Sequence, residues 1–151
     1  MNRSRMVRLL MVPALAAPIM AASLAFAGPA TAGAVVCTGL TGNASGTPPP
    51  QVTGCNDTAN TGGTGTSTGA LAPPHATLSW ASAGGGTTTI KFTDKIVKKE
   101  KCGAGSSEAT IKGKVTGHTG SGSSVSGAVK ATVCIDGSGN LSLLHGTTFK
   151  L

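Results

Sequence analysis

The chain has 151 residues, a formal net charge of +7, 23 glycines and only four aromatic side chains, three Phe and one Trp. This length fits one domain with a modest core, and glycine adds to the entropy that folding must overcome. The scarcity of aromatic rings also argues against base stacking as a binding mode.

Arg3, Arg5 and Arg8 precede an apolar run from about Leu9 to Phe26, and Ala30-Thr31-Ala32 supplies the small-x-small pattern of a signal peptidase site. Residues 1–32 are therefore expected to be a cleaved signal peptide. Pro13 and Pro18 interrupt the run, which disfavours a retained membrane anchor, so no span is expected after cleavage. Val36 before Cys37 disfavours lipid attachment. Residues 33–151 would then form a single secreted domain, extracellular or in the cell envelope. Cleavage removes all four Met and all three Arg, leaving nine Lys against five acids, a net charge of about +4.

In chain order, Val35–Leu40, Gln51–Cys55 and Thr66–Ala72 are weak strand signals, with Pro48-Pro49-Pro50 as an extended connector. Thr58–Gly69, rich in Gly, Thr and Ser, reads as a polar linker or an exposed strand. Alternation is clearer afterwards. Ala76, Leu78 and Trp80 share one face, as do Ile90 and Phe92 with Lys91 opposite. Ile111, Gly113 and Val115 face inward with Lys112 and Lys114 outward. Val125, Val129, Ala131 and Val133 share a face, and Thr147, Phe149 and Leu151 alternate with Thr148 and Lys150. Ala83-Gly84-Gly85-Gly86 and Asp136-Gly137-Ser138-Gly139-Asn140 are hairpin signals. No mature segment shows helical periodicity. The expected fold is all-β, an antiparallel sandwich or barrel of about seven to nine strands.

Cys37, Cys55, Cys102 and Cys134 permit three pairings. Cys37–Cys55 with Cys102–Cys134 is favoured because both bridges close local loops, of about 18 and about 32 residues, each worth roughly 3–4 kcal/mol in the chain-entropy model. The wide spacing and the lack of a nearby His argue against a zinc site, and no metal or other cofactor is expected.

Candidate chemistry is sparse. Gly65-Thr66-Ser67-Thr68-Gly69 matches G-x-S-x-G, but that motif works at a strand-to-helix elbow of an α/β sheet, which this chain does not suggest. His75, His118 and His145 fall at turns or strand ends. Asp57, Asp94, Glu100, Glu108 and Asp136 show no pairing suited to proton transfer. No catalytic residue is assigned and the protein is read as a non-enzyme. Trp80 reads as a core residue rather than a sugar platform. Lys91, Lys95, Lys98, Lys99 and Lys101, with Lys112 and Lys114, would form one basic face if the strands near Phe92 and Ile111 are neighbours. Such a face attracts polyanions, for example an anionic cell-wall polymer or glycan. Its plainer role is a solvated hairpin whose lysines deter edge-to-edge aggregation. Without Arg, specific nucleic-acid recognition is not expected.

Cys37-Thr38-Gly39-Leu40, Val52-Thr53-Gly54-Cys55, Thr61–Gly65, Ala76–Trp80, Gly113–Gly117 and Gly146–Phe149 together resemble small secreted actinobacterial β proteins of unknown function. The resemblance implies an exported β domain and no activity. The chain is also similar in size and cysteine layout to secreted subtilisin-inhibitor proteins, which makes protease inhibition the alternative function. It departs from them at Gly103-Ala104-Gly105-Ser106, where a reactive loop would follow the third cysteine, and it lacks their helical segments. The principal expectation is a small exported β domain acting through surface contacts.

Overall fold

The computed structural model describes residues 34–97, 101–120 and 125–151; the expected signal segment 1–32, with Lys98, Lys99 and Glu100, lies outside them. Among the described residues there are nine strands and one helical turn: β1 (Val36–Thr41), β2 (Gln51–Cys55), α1 (Thr58–Thr61), β3 (Thr64–Ser67), β4 (His75–Trp80), β5 (Gly86–Ile96), β6 (Ser107–Gly120), β7 (Ala128–Ile135), β8 (Leu141–Leu143) and β9 (Phe149–Lys150). Strands β1 to β7 pair antiparallel in chain order. Strand β9 then bridges β7 and β1 and closes an eight-stranded barrel. Strand β8 is additional, paired on β7 along the stretch that β9 does not reach. Of the two expected architectures, the fold is the barrel.

Closure joins the two ends of the described chain. The Val35 N–H donates to the Leu151 carbonyl at 3.0 Å and the Leu151 N–H returns to the Val35 carbonyl at 2.8 Å. Eight strands enclose a space that side chains can fill. Here Leu78, Trp80, Ile90, Phe92, Ile111, Val129, Val133 and Phe149 fill it, as their alternation anticipates. Trp80 is 5% exposed, and its indole N–H donates to the buried Thr88 hydroxyl at 2.8 Å. Gly65 on β3 lies beneath that ring: a Cβ there would stand 2.5 Å from Trp80 Cζ3. The first glycine of the G-x-S-x-G match is thus explained by packing.

The segment Thr58–Gly69 is neither a linker nor one exposed strand. The Asp57 carboxylate accepts the Asn60 N–H and caps α1, and Gly62 ends the turn at φ 65°. Strand β3 then runs Thr64–Ser67, with Gly65 and Ser67 facing the core. The expected strand Thr66–Ala72 is therefore shifted: residues 68–74 leave the sheet and cross the barrel end, anchored by buried Leu71. In β2, Val52 and Cys55 are both buried although three residues apart. Gly54 at φ 63° lies between them and breaks the alternation.

Both favoured disulfides are present, Cys37–Cys55 and Cys102–Cys134. The first joins directly opposed residues of β1 and β2 within the core. The second pins the β5–β6 connection to the outside of β7. There Glu108, opposite Cys134, accepts the Lys101 N–H at 2.9 Å. In the β7–β8 turn the Asp136 carboxylate accepts the Asn140 side-chain amide at 2.9 Å and the N–H groups of Asn140 and Ser138 at 2.8 Å. These bonds, the Asn140 side chain's first, lower its pKa.

Thr88→Val would strand the Trp80 indole N–H in the core, an expected loss of about 1–3 kcal/mol, measured by denaturant unfolding followed through the fluorescence of the single tryptophan. The Asp136 pKa is depressed on folding, so its stabilising contribution is present above the unfolded value of 3.8 and lost as pH falls through the folded one. Stability should accordingly decline on acidification below about pH 4, and Asp136→Asn should make that decline shallower in an acid unfolding series.

Candidate functional site

Strands β5 and β6 are neighbours over their length, so Lys91, Lys95, Lys112 and Lys114 share a face, while Lys98 and Lys99 lie outside the described residues. Lys91 lies directly opposite Lys114, Thr93 opposite Lys112, and Lys95 opposite Thr110. Strand β7 extends the pattern, with Lys112 opposite Lys130 and Thr110 opposite Thr132, and β9 adds Lys150 opposite Lys130. The outer surface of four successive staves is thus a lattice of lysine and threonine. One row runs Thr93, Lys112, Lys130, Lys150, with backbones about 5 Å apart between strands. Every lysine named here is exposed.

The charge is segregated around the barrel. Strands β1 to β4 carry no lysine, and the four acids among the described residues stand away from the lattice or are occupied. Asp57 caps α1, Glu108 lies buried under the Lys101 segment, Asp136 is held in its turn, and Asp94 is on the inner face of β5. Glu100 lies outside the described residues. Lys101, exposed beside Cys102, borders the lattice from the β5–β6 connection.

Two hollows indent this surface. One, of 230 Å³, is lined by Thr93, Lys95, Thr110 and Lys112. The other, of 290 Å³, opens where β8 ends and β9 has yet to begin; Lys130, Thr132 and Lys150 line it with the backbone of Gly146–Thr148. A turn shapes this gap: the Thr147 hydroxyl donates to the Leu144 carbonyl at 2.7 Å and its N–H to the same oxygen at 2.9 Å. Each hollow is bordered by two ammonium groups and at least one hydroxyl. Ammonium is a point-like cation with three donors and no acceptor, so it suits oxyanions.

Lys130 and Lys150 were not picked out by the sequence reading. Each is a single lysine in an apolar alternation, and nothing local says that the last strand closes beside β7. His75, His118 and His145 lie on β4, on β6 and in the β8–β9 connection. Ser67, the serine of the G-x-S-x-G match, is 3% exposed inside the barrel, with a hydroxyl that has no partner. The segment after Cys102 closes in a tight turn, the Ser106 N–H donating to the Gly103 carbonyl at 3.1 Å. Among the described residues no helix is long and apolar enough to cross a membrane. No family model, curated protein or solved structure matches the chain.

Like charges directly opposite one another weaken a sheet. Lys114→Glu, facing Lys91, should therefore raise unfolding stability by about 0.2–1 kcal/mol at low ionic strength. The gain should shrink with added salt, which denaturant midpoints at several salt concentrations would show.

Proposed function

We propose that the protein is a non-enzymatic, exported barrel that holds to polyanionic polymers of the cell envelope or its surroundings through the lysine–threonine lattice. Chains bearing repeated phosphate, sulfate or carboxylate groups are the chemical class that fits. The observation that carries the reading is the run of directly opposed lysines, Lys91 with Lys114 and Lys112 with Lys130 and Lys150, with no acid among them. Such an arrangement costs stability in the free protein and is relieved by a multivalent anion.

Lysine on a flexible stem, rather than arginine, suits contacts that tolerate variable spacing along a polymer. The threonine hydroxyls between the ammonium groups add donors at the same depth. Two disulfides are compatible with an extracellular setting, where thiols are oxidised. The resemblance to small secreted actinobacterial β proteins points the same way.

Retention of residues 33–151 on immobilised heparin and on a poly(glycerol phosphate) resin tests the reading. The triple variant Lys112→Gln, Lys130→Gln, Lys150→Gln should elute from both at clearly lower salt. A charge-matched variant with Glu at the exposed positions Thr41, Thr68 and Ala81 should stay close to the unsubstituted protein. Equal elution of the two triple variants would reduce the lattice to unspecific net charge and overturn the proposal.

A further inference from the structure

The inner face holds a separate feature, at one end of the barrel. Along β5 the core-facing positions are Ile90, Phe92, Asp94 and Ile96; Asp94 stands opposite buried Ile111, which puts its carboxylate on the inner side. Here the apolar alternation is broken by an acid. A cavity of 180 Å³ opens at this level, lined by Phe92, Ala109, Ile111, Val133 and Leu141 among others, with Asp94 as its one charged group. Segments outside the sheet wall it: Ala44 from the β1–β2 connection and Leu71-Ala72-Pro73 from the β3–β4 connection.

The rim is tied together. The Asn43 side-chain amide donates to the Ser138 carbonyl at 2.8 Å, which joins the β1–β2 connection to the β7–β8 turn. The Ser67 N–H donates to the Pro50 carbonyl at 2.7 Å, which joins it to β3. Among the described residues no hydrogen-bond or ion-pair partner reaches the Asp94 carboxylate. Ile96, two residues on along the same inner side, is 54% exposed and extends the apolar lining outward.

We infer that this barrel mouth binds a small molecule with an apolar body, about one ring in size, and a protonated amine that pairs with Asp94. The scale follows from volume: an apolar cavity of about 150 Å³ lined by aliphatic and aromatic side chains takes up benzene. The head group follows from chemistry. An ionised carboxylate only accepts hydrogen bonds, and a charge-assisted bond from an ammonium is the strongest complement available to it. Mouths of β-barrels are a preferred place for such sites. Asp94 is open to water, so its charge stays hydrated while the site is empty and is covered when the amine arrives. The inference is independent of the lysine lattice, which lies on the outer surface.

An amide-resolved NMR titration of residues 33–151 with benzylammonium, and with benzyl alcohol as its neutral analogue, is the test. Saturable shifts should concentrate on Phe92, Asp94, Ile111, Val133 and Ile135, with benzylammonium binding about tenfold more tightly than the alcohol. Asp94→Asn should remove that preference while the alcohol still binds. Ala72→Phe, at an exposed rim position, should block both ligands without touching the carboxylate. The absence of saturable shifts, shifts confined to the outward positions Lys91, Lys112, Lys114, Lys130 and Lys150, or an Asp94→Asn variant that keeps its preference for the amine would each overturn the inference.

Discussion

Backbone pairing between the ends of the described chain is the constraint on which the architecture rests. Strand β9 has two residues, yet it pairs with β1 on one side and β7 on the other, and the reciprocal bonds between Val35 and Leu151 extend the seam. Without it the start of β1 and the part of β7 that β8 does not cover would be free edges, and the short apolar staves would expose their inner faces. Closure removes those edges and encloses Phe149 and Leu151, both fully buried. A core with so few aromatic rings depends on this enclosure, since glycine-rich strands bury little surface each. The disulfides act at other points: one joins neighbouring staves inside the barrel, and the other fastens a loop to its outside.

The same closure organises the surface. A meander alone would place β5, β6 and β7 side by side, but β9 carries the lysine row one stave further and leaves the interrupted edge that forms the larger hollow. Since strands β1 to β4 have no lysine, the barrel has a cationic side and an uncharged, threonine-rich side. The mouth differs again, with an apolar lining and a single inward carboxylate. The outer lattice suits an extended polymer, and the mouth suits a small ligand.

Several of these features were legible in the residue pattern. Alternation around Trp80, Ile90, Phe92 and Ile111 marks the inner face because side chains in a strand point to opposite sides with a period of two. The Gly-rich and Asp-Gly segments mark both hairpins, and short loops favour the two local disulfides. The period-two signal also ran through Asp94: counting on from Ile90 and Phe92 places it inward, although the alternation reading stopped at Phe92. The boundaries of β3 and the helical turn before it were obscured by a run of Gly, Thr and Ser with no apolar spacing. There a side-chain cap from Asp57 and a ring packed on Gly65 decide the conformation.

Local sequence determined the staves, the turns and the outward direction of the lysines, because each depends on residues a few positions apart. It also determined that the interior would be small and in need of cross-links. Only the tertiary structure decided that the staves close into a barrel rather than stack as a sandwich. It alone brought Lys130 and Lys150 beside Lys112 and gathered loops from two connections around Asp94. These are contacts between residues far apart in the chain, and they are set by strand twist and the need to pair the last edge, which no local pattern encodes.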